Sequence, residues 1–199
     1  MVDNKEIRLY TVGDSHGWHA WLKIPWVEVT HLGPMTMHMF GQSKPMVAAK
    51  IGNDEGKPIC LCYGEIDCRF RVHEHQPWKE TINSLVEDFF KVVDENAKIN
   101  PKIFIFNILP PPRRDHLPDP KGNPSFPFLG SDDERLTYVT YMNNLLRANS
   151  KYPLLDVYKH YCDEDGFLNM EMSDSHVHIK DEKPLKEAVE KLLKEMNYE

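Results

Sequence analysis

The sequence predicts an α/β protein, an open parallel sheet with helices on both of its faces. Three observations carry that expectation. Short apolar runs alternate along the chain with amphipathic helical patterns, the order that parallel βαβ units impose. The runs are continuous rather than alternating, as in strands buried on both faces. Residues able to do chemistry follow the ends of those runs, where open α/β sheets hold their ligands.

The first strand is expected in "EIRLYTVG" (6–13) and the second in "PWVEVTHLG" (25–33). The third is "PICLCYG" (58–64), stopped by glycine. The fourth is "PKIFIFNILPPP" (101–112), a β-branched and aromatic run ended by three prolines. The fifth is "YPLLDVYKHY" (152–161). Between the third and fourth, Ile82, Leu85, Val86, Phe89, Phe90 and Val93 recur at helical spacing. A second helix carries Leu136, Val139, Met142, Leu145 and Leu146, with Ser131 or Asp132 as its cap and acids in its first turn. A last helix begins near Pro184, with Leu185, Val189, Leu192 and Met196 as its buried stripe. Residues 110–130 hold seven prolines and read as a long loop, a rim or lid.

Composition narrows the function. A chain of 199 residues suits one domain over 1–199 with a proper core. A net charge of −7 without any basic block argues against a nucleic-acid partner. No apolar stretch reaches the length that spans a membrane. The start "MVDNKEIRLYTVG" lacks the apolar core of a secretory signal, so a cytoplasmic location is expected. Cys60, Cys62, Cys68 and Cys162 lack the paired spacing of a zinc site. Cys60 and Cys62, two apart in a strand, read as small buried hydrophobes on one face. "HEH" (73–75) fixes no third ligand, and neither a metal nor a cofactor is expected.

The chemistry starts from Gly13-Asp14-Ser15-His16-Gly17, directly after the first strand. Serine attacks only when a base takes its proton, and the base needs a carboxylate to fix its tautomer. "MSDSHVHIK" offers Asp174, His176 and His178, in an order, Ser…Asp…His, in which such triads occur. The same five residues also fit G-x-S-x-G, the elbow of α/β-hydrolases. That elbow follows several strands, whereas here one strand precedes it and no HGGG-type segment lies upstream. Asp14 reads as a tether for the turn, and His16 as a turn or rim residue.

"VGDSH" resembles block I of the SGNH (GDSL-type) hydrolases, and the Asp174…His178 pair resembles their block V. Gly33 in "HLGPMT" stands where the block II glycine does, and "YGEIDCR" resembles a variant of block III. The pattern covers residues 7 to 180. The resemblance implies a three-layer α/β/α sandwich, flavodoxin-like, with five parallel strands in the order 2-1-3-4-5. It implies Ser15 as nucleophile, His178 as base and Asp174 as orienter, with the N–H groups of Ser15 and Gly33 holding the oxyanion.

Two departures stand out. The family spacing is Asp-x-x-His, but here the histidine comes four after the aspartate. Ile66 occupies the block III asparagine position and cannot donate a hydrogen bond. Arg69, His73 and Asn107, with Asp14 and His16, are the candidates for further oxyanion or substrate contacts. Arg69 also suits an anionic substrate group, or an ion pair with Asp67 or Glu65. Arg113 and Arg114 could grip an acidic sugar or phosphate.

The expected activity is hydrolysis of small acyl esters, O-acetyl groups on carbohydrate foremost, by a serine esterase in an open cleft. Its partner is then a small-molecule or glycan ester. Transfer of the acyl group to a sugar hydroxyl would use the same triad, and a non-catalytic glycan-binding domain on the same scaffold is the third reading. The sequence leaves the oligomeric state open.

Overall fold

The computed structural model describes residues 6–51 and 56–198. Its sheet has five parallel strands, β1 (Leu9–Gly13), β2 (Val27–His31), β3 (Ile59–Cys62), β4 (Ile103–Phe106) and β5 (Leu154–Leu155), in the order β2-β1-β3-β4-β5. This is the expected fold class and strand order.

Alternation along the central strands builds the three layers. Ile59 and Leu61 of β3, with Ile103 and Ile105 of β4, face one core. That core is covered by α1 (Met37–Ser43), α2 (Trp78–Ala97) and α3 (Asp132–Asn149). Cys60, Cys62, Phe104 and Phe106 face the other core, which is closed by Trp21, Ile24 and α4 (Lys183–Glu195). The cysteines are therefore buried on one face, as their spacing predicts. Among the described residues, no helix is long and apolar enough to cross a membrane.

The helices start where their sequences say they should. Ser131 caps α3 in a reciprocal box with Glu134, and Pro184 sits in the first turn of α4. In α3, Arg135 is buried and donates to the carbonyls of Pro112, Gly130 and Ser131. It thereby holds both ends of the proline-rich loop, which includes a short hairpin, Gly122–Asn123 against Phe126–Pro127.

Three details differ from the sequence reading. The fifth strand stops at Leu155, because the Asp156 carboxylate accepts from the Tyr158 N–H and Tyr158–Tyr161 turns into helix. In α3, Tyr138 joins the buried stripe, while Leu136 and Leu145 are only half-buried. In α4 the third buried position is Leu193 rather than Leu192, and Met196 lies past the last helical residue. Leu185, Val189 and Leu193 keep a strict four-residue step, so the stripe drifts around the helix by one position.

Candidate active site

Parallel strands bring their carboxyl ends to one edge, and the site forms there. β1 ends at Gly13, which pairs in register with His31 of β2 and Cys62 of β3. The chain then enters a tight helical turn, Ser15–Gly17. Asp14, fully buried, closes it by accepting from the His16 N–H at 2.8 Å. The Thr11 hydroxyl donates to the Gly17 carbonyl at 2.8 Å. Gly13 is required by proximity: a Cβ there would lie 2.1 Å from the Cys62 carbonyl oxygen. Ser15 is thus presented at the sheet edge by a turn tied to β1 on both sides.

The opposing segment comes from near the end of the chain. His178 Nε2 lies 2.9 Å from Ser15 Oγ, and His178 Nδ1 lies 2.9 Å from Asp174 Oδ2. The four-residue spacing is absorbed locally. Ser175 adopts a left-handed conformation, φ 74°. Asp174 Oδ1 accepts from the N–H groups of His176 and His178, and the Asp174 N–H donates to the His178 carbonyl. The carboxylate therefore folds its own loop with one oxygen and grips the imidazole with the other.

Two further histidines flank His178. His19 stacks on its ring at 3.6 Å between centroids, with Nδ1 3.8 Å from Asp174 Oδ2. The His16 ring is tilted against that of His178, 5.1 Å between centroids, and is buried. Its Nε2 donates to the Val177 carbonyl at 3.1 Å, and its Nδ1 is 3.5 Å from Asp14 Oδ1. Burial disfavours the charged form of His16, but the neighbouring Asp14 carboxylate, with Glu65 and the Val177 carbonyl, outweighs it and raises its pKa. Burial, followed by repulsion from His16, holds the His178 pKa well below the usual histidine range despite Asp174. Interaction with His178 holds Asp174 below the ordinary carboxylate value, against its own partial burial. The result is a neutral imidazole between a serine and a carboxylate, the state a general base needs.

Ser15 and His178 open into a cleft of about 310 Å³, walled by Arg69, Leu117, Asn123 and Phe128. The proline-rich loop supplies three of those four walls, so it is the rim. Ile66 is buried and offers no donor, while its neighbour Asp67 accepts from the N–H groups of Met37 and His38 at the start of α1.

The remaining candidates fall elsewhere. Asp14 and His16 sit beneath the serine and do not line the cleft. Gly33 has φ 73° after β2 and is not among the cleft walls. His73 lies against Gly130 and lines a separate hollow with Trp78 and Glu134. Asn107 joins strand ends, accepting from the Val157 N–H. Arg113 pairs with Asp163 and Asp165, and Arg114 with Asp132. Sequence reasoning missed His19. Its only signal is a position four after Ser15, the step that brings side chains to one side of a helical turn.

His19, Asp174 and His178 gather their polar atoms within 4.8 Å of one another. The two rings are stacked 10° from parallel, so their in-plane lone pairs run side by side. A metal needs lone pairs that converge, and this set fits hydrogen bonding better.

No protein-family model matches the chain, and no curated protein matches it. Solved structures do. A GDSL-like lipase from Bacteroides thetaiotaomicron VPI-5482 aligns over 96% of this chain and 90% of its own, with a TM-score of 0.63 and 14% identity. An acetyl xylan esterase, AlAXEase, aligns over 94% and 98%, with a TM-score of 0.56 and 14% identity. The CTD of the Drosophila Oskar protein aligns over 92% and 87%, with a TM-score of 0.57 and 12% identity. The chain has the SGNH (GDSL-type) hydrolase fold. At such identities the likeness concerns the fold, and the chemistry has to be argued from the residues.

Proposed function

We propose that the protein is a serine ester hydrolase acting on small acyl esters, with O-acetyl groups on carbohydrate as the favoured substrate class. The observation that carries this reading is the continuous pair of 2.9 Å contacts from Ser15 through His178 to Asp174. Ser15 Oγ attacks the ester carbonyl while His178 Nε2 takes its proton. Asp174 holds the tautomer that leaves Nε2 free and stabilises the imidazolium that forms. The imidazolium then protonates the leaving alcohol, and water repeats the sequence to free the acid. The N–H groups of Ser15 and Gly33 are the proposed oxyanion donors. Neither donates to any acceptor among the described residues. The open cleft and the acetyl xylan esterase among the structural neighbours support a carbohydrate ester.

Transfer of the acyl group to a sugar hydroxyl would share every step up to the acyl-enzyme. The non-catalytic glycan-binding reading is weighed down by a serine already within hydrogen-bond reach of its base. A fluorophosphonate probe and 4-nitrophenyl acetate test the proposal. Wild type should be labelled on Ser15 and should release nitrophenol, and Ser15→Ala should lose both while unfolding at the same temperature. Undiminished turnover by Ser15→Ala would overturn it.

A further inference from the structure

Arg69 is held on two sides and open on the third. It projects from the turn Asp67–Arg71 that follows β3, and it lines the cleft together with Ser15 and His178. Its face lies 4.9 Å from the Phe128 ring centroid. Its Nε is buried without a hydrogen-bond partner, 3.7 Å from Glu65 Oε1. That separation gives charge attraction but no hydrogen bond. Neither terminal nitrogen donates to any group among the described residues. Asp119, the acid on the cleft wall, forms no ion pair with Arg69 among the described residues. Glu65 and Phe128 therefore fix the plane of the guanidinium and leave its two-nitrogen edge unused beside the serine. Parallel N–H groups on that edge match the two oxygens of a carboxylate.

We propose, resting on the esterase reading above, that Arg69 anchors a carboxylate carried by the substrate, so that the preferred ester is an anionic one. Its role is specificity: it grips a part of the substrate that does not react. This differs from a role as third oxyanion donor, which would act on every ester alike.

Two matched pairs of esters separate these roles. In one the charge is on the alcohol side, 3-acetoxybenzoate against the neutral 3-acetoxybenzamide. In the other it is on the acyl side, phenyl hydrogen adipate against phenyl hexanoate. Wild type should favour the charged member of at least one pair by about tenfold or more in kcat/KM, as a charge-assisted contact allows. The gain should appear mainly in KM and should shrink as salt is added. Arg69→Gln should erase the preference while turnover of the neutral ester persists, and Arg69→Lys should restore part of it. Equal turnover of both members by wild type overturns the proposal, and so does an equal kcat loss on both members in Arg69→Gln. If Arg69→Gln does not fold, the wild-type preference and its salt dependence decide. Wild type inert on all four esters removes the esterase reading and this inference with it.

Discussion

The imidazole of His19 lies face to face with that of His178, 3.6 Å between centroids and 10° from parallel. His178 has its two nitrogens committed to Ser15 and Asp174, so only the faces of its ring are left to be held. His19 holds one of them. Trp18 packs edge-on against His19 and stacks on His31 at the end of β2, so the support is anchored to the sheet.

Replacing His19 by Ala should therefore lower kcat rather than raise KM, by about three- to tenfold, the worth of one aromatic contact. His19→Phe should recover most of the loss because the stack is kept. Steady-state kinetics on 4-nitrophenyl acetate read the difference. A His19→Phe variant as impaired as His19→Ala would mean that the imidazole itself, not its face, is needed.

The second prediction concerns pH. The groups facing His178 are His16, His19 and Asp174. A base works in its neutral form, so a lowered pKa extends activity toward acid. The acidic limb of kcat/KM should accordingly fall below the usual histidine range in wild type. His16→Gln keeps a donor for the Val177 carbonyl and removes the charge that repels the His178 imidazolium. The limb should then move up in pH. A limb that stays in place would show that His16 acts only as a brace.

The third prediction separates two glycines. A Cβ at Gly13 would meet backbone, 2.1 Å from the Cys62 carbonyl oxygen, which cannot turn aside. Gly13→Ala should lose about 3 kcal/mol of stability or more. At Gly33 a Cβ would meet nothing, and only its positive φ resists. Gly33→Ala should cost about 1 kcal/mol. Urea unfolding of both variants checks the ordering.

Much of this was legible in the residues. β3 and β4 sit inside continuous apolar runs bounded by proline or glycine, since burial on both faces leaves no room for polar positions, whereas the edge strand β2 alternates and is largely unburied. The order of the proposed triad, Ser15…Asp174…His178, is readable because each residue follows a strand end or precedes α4. The run 152–161 predicts a longer strand than the one that forms, because Asp156 turns the chain by a side-chain bond that no hydrophobic pattern records. The four-residue spacing at Asp174 departs from the family pattern because it is taken up by a left-handed Ser175, which is invisible to periodicity. The stack of His19 on His178 and the open edge of Arg69 depend on what tertiary packing brings alongside, which the four-residue step from Ser15 to His19 does not by itself reveal.

Ser15 and His178 are 163 positions apart, and their contact closes the intervening chain into one long loop. During synthesis the serine leaves the ribosome 163 residues ahead of its base. Until residues 174–178 have folded against the turn after β1, Ser15 is an ordinary alcohol. On the esterase reading, reactivity is then a report of finished folding: a chain cut short before residue 174 would carry the nucleophile but could not use it.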